Sequence, residues 1–541
     1  MKKFLSVLLV LFFLISPCSA QEGLQKVRID DFRGGMVSNS IPDILTANQG
    51  ASLVNVVINK PGKISKRKGV GIFCVDGGTE AFVGINRYDP DANSSYLIGA
   101  SMASIVRATN SASVWSAVNY PPFVSLASPQ TVGQDTSFVQ ANNLLFVLNG
   151  YDNTAWHTGP GWVRASNYPT SPPVARTGAW LRNYLFLAGR PQNRDWIYFS
   201  NNLDPTTFTS TDIIKINTGD GQVIQKVVPF RLNELIIYKE RSIFVLDITG
   251  STPLTDWTVQ PISKVLGTIA PRSVVSLGND QWFLSSEPIA IRSLVRSEFD
   301  KILLNIVSNP VQDILEGTGV LAVNKNQIQK ASGIFFDNKY LLAIPTGTSL
   351  VNNTVLVYDF ISQGWSIIDG WYPAEWIVFD NRLFFTDATD GRVIEAFKDN
   401  TGDFYPGPNI VLPIASAPSV AVRFTYISKI IDFDNRENFK QLDAMEVEFN
   451  PTGNYSAEVF INLDNAGWQK VGTVDLDSNL DLSLTLPARL SSSGVARKTF
   501  QLQQYGEFKK MQVMVQQNGL EEEVELQRIT IFGRVKPWRR E

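Results

Sequence analysis

A loose internal repeat is the feature of this sequence that most limits how it can fold. Each copy is a polar turn, usually containing Asn, followed directly by two or three bulky apolar residues. The copies are Asn93–Leu97, Asn142–Phe146, Arg182–Phe186, Asn233–Ile237, Asp280–Leu284, Asn338–Leu342 and Asn381–Phe385. Measured from one turn residue in each copy (94, 142, 182, 233, 280, 338 and 381), the intervals are 48, 40, 51, 47, 58 and 43 residues. Intervals of this size match one four-stranded blade of a β-propeller each.

The physical reason for a ring of blades is burial. One small antiparallel sheet cannot cover both of its faces, whereas a ring of such sheets covers every inner face and protects the strand edges. The repeat therefore predicts an all-β chain with a β-propeller of six to eight blades. A series of unrelated hairpins in sandwich domains is the alternative. Short helices are expected only near residues 43–57 and 308–317.

The chain is long enough for more than one domain, since it has 541 residues. Gly, Asp and Pro near residue 400 predict a connection, and alternating apolar and polar residues beyond it predict an antiparallel β-sandwich with one solvated face. We expect a signal-like apolar segment at 1–20, a short N-terminal assembly segment at 21–75, the propeller at 76–400 and the sandwich at 401–541.

The residue types available for chemistry are few. The chain has one histidine, His157, and two cysteines, Cys18 and Cys74. This scarcity excludes zinc fingers, iron–sulfur sites and a disulfide framework, and it leaves one histidine for any catalytic triad. The formal net charge of −3 argues against a protein that coats nucleic acid electrostatically.

No catalytic motif is visible either. The sequence has no dinucleotide-binding glycine motif, no phosphate-binding loop and no zinc helix. The acidic loops Asp89–Asn93 and Asp475–Asp481 have oxygen ligands suited to calcium but lack an EF-hand pattern, so solvated turns are the preferred interpretation. We predict no catalytic residues, no metal site, no cofactor and no enzymatic activity.

The N-terminus has the pattern of an export signal. Lys2 and Lys3 precede an apolar run from Phe4 to Ile15, and Ser19-Ala20 could precede a cleavage point before Gln21. The run is too short to span a bilayer comfortably. An uncleaved apolar segment buried in an assembly is the other interpretation.

A basic stretch precedes the first blade. Its cations are Lys60, Lys63, Lys66, Arg67 and Lys68. They could contact phosphate or an acidic partner surface, or they could form a solvated loop. The sequence does not separate the two.

The same region resembles the start of tail nozzle proteins of short-tailed bacteriophages, also called tail tubular protein B. The matching positions are Gly34, Gly35, Pro42, Asp43, Asn55, Gly62, Lys66 and Arg67. Trp180–Leu187, Asp195–Ser200 and Glu240–Leu246 are similar to the hub, or packaged-DNA stabilisation, proteins of related phages. The likeness is patchy but runs in order from about residue 30 to 400.

The resemblance implies a structural virion protein, a homohexameric ring with a central DNA channel. It would help to retain and then deliver the genome without sequence readout, and it would contact adaptor or portal-proximal proteins and tail fibres or spikes. The matching positions would be assembly or entry-strand positions, and the basic stretch would serve assembly or contact with DNA or a partner. The alternative is an exported propeller that binds a glycan or a surface partner, or a propeller glycosidase. The localisation would be the virion tail in the first case and extracellular in the second.

Overall fold

The computed structural model describes residues 23–59, 62–75, 81–100, 105–109, 135–157, 162–166, 168–250, 252–297, 301–317, 321–399, 402–404, 419–477 and 495–536. The predicted signal segment, Lys60 and much of the second acidic loop lie outside these residues. None of the helices in the described ranges is long and apolar enough to cross a membrane.

Six strands precede the repeats. They are β1 Leu24–Ile29, β2 Gly35–Met36, β3 Gln49–Val54, β4 Val56–Ile58, β5 Ile64–Lys66 and β6 Gly69–Val75. A 3-10 turn covers Pro42–Ile44. The helix expected at 43–57 is therefore wrong beyond its first residues, because β-branched residues at this position pair with strands far away in sequence.

The repeat region forms strands β7 to β32 in hairpin order. They are β7 Gly84–Asp91, β8 Ser94–Ala100, β9 Ile105–Thr109, β10 Ser137–Ala141, β11 Leu144–Leu148, β12 Ala155–His157, β13 Trp162–Arg164, β14 Thr177–Leu181, β15 Tyr184–Arg190, β16 Asn193–Asn201, β17 Asp204–Lys215, β18 Ile224–Phe230, β19 Glu234–Lys239, β20 Ile243–Asp247, β21 Thr258–Ser263, β22 Val275–Ser276, β23 Asp280–Ser286, β24 Ile289–Arg296, β25 Ile302–Ile306, β26 Ser332–Phe336, β27 Lys339–Ile344, β28 Thr354–Asp359, β29 Gly364–Asp369, β30 Pro373–Phe379, β31 Arg382–Asp387 and β32 Arg392–Lys398.

Helical turns in this region are short. They are the 3-10 turns Pro271–Ser273, Asn309–Val311 and Lys325–Lys330 and the helix α1, Gln312–Glu316. The helix expected near 308–317 is confirmed.

Ten strands follow, with a further 3-10 turn at Gln503–Tyr505. They are β33 Asp403–Phe404, β34 Ser419–Val420, β35 Phe424–Ser428, β36 Lys440–Phe449, β37 Ser456–Leu463, β38 Trp468–Asp475, β39 Ala496–Gln501, β40 Glu507–Phe508, β41 Met511–Gln517 and β42 Glu525–Val535.

Five separate four-stranded antiparallel sheets make up a β-propeller arrangement, which confirms the prediction of an all-β chain with a propeller. Four of them use consecutive strands, β10–β13, β14–β17, β18–β21 and β22–β25. The fifth joins β30, β31 and β32 to β6 from the other end of the chain. Two further sets, β7–β9 and β26–β29, follow the same hairpin order. Hydrophobic clusters link neighbouring sets, so the core lies between the sheets.

Six of the seven copies of the sequence repeat run from the turn between the first and second strands of a set into the second strand, and the copy Asp280–Leu284 begins directly after that turn, within β23. At three of the turns both central residues have positive φ, namely Arg182-Asn183, Asp337-Asn338 and Asp380-Asn381. Two residues with positive φ form the type I′ turn, whose twist matches that of a hairpin. Asn recurs in the repeat because it tolerates this left-handed conformation better than most residues.

The first and last thirds of the chain share two sheets. In one, β42 pairs with β36 on one side and with β1 and β5 on the other. In the other, β3 lies between β29 and β35, so the sheet that begins with β26 continues into β35, β41, β37 and β38. Apolar residues of both sheets belong to one buried cluster.

Residues 21–75, expected to form an assembly segment, are divided between these units. Strands β1 to β5 complete the C-terminal sheets and β6 completes a propeller blade. Sheet edges are left unpaired only at a cost, and strands from the N-terminus fill these edges.

Candidate functional site

A cavity of about 190 Å³ lies where the first strands of the blades approach one another. Its lining comes from β7, β10, β14, β18, β30 and the 3-10 turn Pro271–Ser273, together with the residues just before β10 and β14. Five charged side chains line it, namely Asp135, Arg176, Lys226, Arg272 and Glu375.

Arg272 connects the two carboxylates. Its Nη2 atom lies 3.3 Å from Oδ1 of Asp135 and 3.7 Å from Oε2 of Glu375, and it donates a hydrogen bond to the carbonyl oxygen of Val83. The backbone N–H of Ile85 donates to Oε2 of Glu375 at 3.0 Å. Burial raises the pKa of Glu375, against the opposing effect of Arg272.

Lys226 and Arg176 are different, because their side chains make no hydrogen bond or ion pair with any of the described residues. Burial lowers the pKa of Lys226, and the nearby Glu375 opposes this shift. The pairing register of β18 shifts between Ile224 and Lys226, a bulge of the kind that changes where a side chain points. With three cations and two carboxylates in their ordinary charge states, the lining carries one net positive charge.

None of these five residues was singled out from the sequence, although a signal exists. Asp135, Arg176, Lys226, Arg272 and Glu375 precede the repeat markers 142, 182, 233, 280 and 381 by 7, 6, 7, 8 and 6 residues. A charged residue therefore recurs at or just before the start of five of the seven first strands.

The predicted basic stretch lies elsewhere, at β5 and the residues on either side of it, and the side chains of its described members Lys63, Lys66, Arg67 and Lys68 contact other parts of the chain. Nζ of Lys66 donates to Oε1 of Gln517 at 2.7 Å and to the carbonyl oxygen of Gly519 at 2.8 Å. Burial lowers the pKa of Lys66 to about 8. Nζ of Lys63 lies 3.7 Å from Glu525.

Lys68 forms an exposed ion pair with Asp399. A second cavity of about 200 Å³ lies beside this stretch and is lined by residues 65–69 and by the acidic run 521–525. The stretch thus already faces an acidic surface, and that surface belongs to the same chain.

Arg67 is enclosed completely, with no exposed side-chain surface. Its Nε donates to Oδ1 of Asn55 at 2.8 Å, and its terminal nitrogens donate to both carboxylate oxygens of Asp403 and to the carbonyl oxygens of Lys68 and Asp369. All five N–H groups of the guanidinium are therefore used. The guanidinium carbon also lies 4.6 Å from the ring centroid of Trp371. In this fold Arg67 has no free side-chain surface for the expected contact with DNA or a partner, and its partners belong to the same chain.

Asn55, one of the positions matched to the phage family, is part of the same network. It is fully buried with a φ of 57°, between β3 and β4 and not in a helix. Its amide nitrogen donates to Asp369 and to the carbonyl oxygen of Arg423, the latter at 2.8 Å. This network fastens the chain where it passes from the C-terminal sheets into the propeller.

The glycines of the motif also have a structural reason. Gly35 has a φ of 63°, and a Cβ atom there would lie 2.5 Å from the backbone nitrogen of Trp365. Gly62 has a φ of 85° and its carbonyl oxygen accepts from the N–H of Phe32 at 2.8 Å. A Cβ on Gly34 would lie 2.8 Å from the carbonyl oxygen of Asn48.

Pro42 and Asp43 also make contacts within the chain. Pro42 begins the 3-10 turn Pro42–Ile44, and its carbonyl oxygen accepts from Ile430 at 3.0 Å. The carbonyl oxygen of Asp43 accepts from Arg436 at 3.2 Å.

Two further candidates from the sequence are accounted for by local contacts. Oδ1 of Asp89 accepts hydrogen bonds from Arg87 and Ser95, and no group of three potential metal ligands occurs within the described ranges. His157 is buried in β12, where its Nδ1 lies 3.2 Å from the hydroxyl of Tyr88.

No known family profile matches the chain, and no curated protein matches it. Among solved structures, YCF48 bound to D1 peptide is similar over 64% of this chain and 98% of its own, with 12% identity and a TM-score of 0.38. The extracellular domain of BT4673 from B. thetaiotaomicron is similar over 75% of this chain and 47% of its own, with 10% identity and a TM-score of 0.40. An exo-beta-1,3-galactanase from Phanerochaete chrysosporium is similar over 68% of this chain and 98% of its own, with 10% identity and a TM-score of 0.26. Likenesses this distant say nothing about what this chain binds.

Proposed function

We propose that this protein is an exported β-propeller that binds a glycan or a surface partner through its central cavity. The observation that carries the proposal is the cavity itself, where five charged side chains from five separate repeats converge. Charged groups are costly to bury, and Lys226, whose pKa is lowered by burial, makes no ion pair within the described residues that would offset this cost. Charged residues that lower the stability of the fold because they have no partner in the chain are typical of binding sites.

We propose further that the propeller has seven blades and that the C-terminal sheets form a sandwich. The first strands lie side by side in a circle, β7 with β10, β10 with β14, β14 with β18, β22 with β26, β26 with β30, and β30 with β7. The set that begins with β18 and the set that begins with β22 are linked by a hydrogen bond, in which the side chain of Gln281 in β23 donates to the carbonyl oxygen of Pro229 in β18 at 2.9 Å. The shared core of the two C-terminal sheets supports the sandwich.

Binding is favoured over hydrolysis at this site. Asp135 and Glu375 contact the same nitrogen of Arg272, at 3.3 and 3.7 Å, so their nearest oxygens are no more than about 7 Å apart, a spacing that glycosidases use. However, a carboxylate that acts as nucleophile or acid has to reach the sugar, and here Arg272 holds both. We therefore propose a protein that is not an enzyme.

The experiment is a glycan array and a surface-partner pull-down with the full chain, repeated with a variant whose cavity is filled. Ser137 lines the cavity from β10, and Ser137→Phe should abolish binding. Ser210→Phe, at an exposed position of β17, is the matched control and should bind normally. Binding that survives Ser137→Phe in a folded protein would place the ligand elsewhere and refute the proposal.

Export is tested separately, through the N-terminal peptide of native material. Mass spectrometry should show a chain that begins at Gln21. A chain that begins at Met1 would contradict export and favour a virion component.

A second candidate is a tail nozzle or hub subunit, located in the virion and assembled as a homohexamer around DNA. The observation in its favour is that the matched positions Gly35, Asn55 and Arg67 connect the N-terminal segment to the C-terminal sheets and to the propeller. The motif therefore reflects how the whole chain is put together and not a single contact. None of the three likenesses given above is to a tail protein. Negative-stain images of rings with a central bore would support this candidate, and a monomer in native particles would exclude it.

A further inference from the structure

We propose that the group bound in the central cavity is a carboxylate, held by Lys226 and Arg176. This inference rests on the proposed function, because it names the chemistry of the ligand at that same site. It begins from the contrast between these two cations and Arg272, which is already occupied by Asp135 and Glu375.

The charge of the lining sets the charge of the ligand. Arg176, Lys226 and Arg272 exceed Asp135 and Glu375 by one positive charge, so a ligand with a single negative charge leaves the cavity neutral. A phosphate monoester carries about −1.5 to −2 at neutral pH. It would leave an excess of negative charge beside the two carboxylates.

The shapes of the two donors agree with this assignment. A guanidinium presents a planar fork that matches a carboxylate in two parallel hydrogen bonds, and an ammonium adds a compact charge with three donors. Lys226 and Arg176 come from the starts of neighbouring first strands, β18 and β14, which lie in contact. Both side chains therefore enter the cavity from adjacent blades.

The volume limits the size of the ligand group. A cavity of about 190 Å³ holds roughly six waters at about 30 Å³ each. This is room for one sugar acid or one acidic amino acid, and the opening to solvent leaves any longer remainder of a ligand outside the cavity. Ser137, Thr177 and Asn86 provide neutral hydrogen-bonding groups around it.

The test is calorimetric titration of the full chain with matched small ligands. Glucuronate should bind, and glucose, which has nearly the same shape but no charge, should bind at least about tenfold more weakly. N-acetylaspartate distinguishes the source of the carboxylate, since a site built for a sugar acid should bind it less well than glucuronate. Equal binding of glucose and glucuronate, or no binding of either acid at about 10 mM, would overturn the inference.

Variants locate the contact. Lys226→Met and Arg176→Met should each weaken the binding of the carboxylate by about tenfold to hundredfold, the effect of losing one hydrogen bond to a charged group. Lys264→Met and Arg194→Gln change exposed cations of the same two blades and should leave the affinity unchanged. Unchanged affinity in Lys226→Met would refute the assignment.

The two proposals can fail separately. If a neutral ligand binds, and Ser137→Phe abolishes its binding while Lys226→Met does not, the cavity is the binding site but the carboxylate is wrong. If Ser137→Phe has no effect on any ligand, the proposed function itself is wrong.

Discussion

Replacement of Arg67 by Met should destabilise the fold severely. The methionine keeps an apolar stem near Trp371 but removes all five N–H donors, so the carboxylate of Asp403, with a side chain only 8% exposed, loses its partner. Breaking a buried ion pair on one side costs about 3–5 kcal/mol. The free energy of unfolding of a typical domain is about 5–15 kcal/mol. We therefore expect the variant to lose a large part of its free energy of unfolding.

Urea denaturation measures this loss, followed by tryptophan fluorescence and circular dichroism. With a denaturant slope of about 1–3 kcal/mol per molar, the expected shift of the midpoint is roughly 1–5 M. Lys68→Met is the matched control, because its exposed ion pair with Asp399 is worth about 0–1 kcal/mol. Arg67→Met combined with Asp403→Asn should regain part of the loss, since no charge is then left buried. A midpoint for Arg67→Met equal to that of Lys68→Met would refute the structural role of the network.

Three further changes test other parts of the fold. Gly35→Ala should lower the free energy of unfolding by more than about 2 kcal/mol, because it adds both left-handed strain and a contact of 2.5 Å with the backbone of Trp365. Gly219 has a φ of 87° and no atom within 4 Å of the added Cβ, so Gly219→Ala should cost only about 1 kcal/mol in the same urea titration. Asn381→Ala should lower the free energy of unfolding by about 1 kcal/mol and Asn381→Gly almost not at all, because the turn requires only the positive φ of 57°. Equal losses of stability in the thermal unfolding of the two variants would contradict this. Burial raises the pKa of Asp387 to about 6, so the folded state favours the protonated carboxyl. The contribution of Asp387 to stability should therefore be greatest below pH 4 and should fall as the pH rises through 6. Asp387→Asn should remove that fall in unfolding curves measured between pH 4 and 8.

The blades could be predicted from the sequence because their signal is local. A type I′ turn and the first apolar residues of the next strand are only a few positions apart, so each copy is visible within one short window. The closing strand β6 was not predicted as part of the propeller. Its partner β32 lies more than 300 residues further along the chain, and nothing in Gly69–Val75 alone shows which sheet it completes.

The family-like motif shows the same limit in another form. Gly35, Asn55 and Arg67 were predicted to belong to one family motif, but their contacts depend on Trp365, Asp369 and Asp403, which are distant in sequence. A basic residue in a basic stretch suggests a surface that attracts anions. The burial of Arg67 could not be inferred, because burial is decided by the partners that fold around it.

The central cavity extends this argument to function. In a ring of repeats, equivalent positions of different copies meet at the axis, although they are 40 to 60 residues apart in the chain. Position-by-position comparison of the copies would have shown a charged residue six to eight places before five of the markers, namely Asp135, Arg176, Lys226, Arg272 and Glu375. The core needs the turn and the apolar run to recur, but it has no need for charge at this point, and the sign of the charge changes from copy to copy. Packing therefore accounts for the turn and the apolar run that the repeats share. The candidate site is formed by the charged positions, which face one another and differ between the repeats.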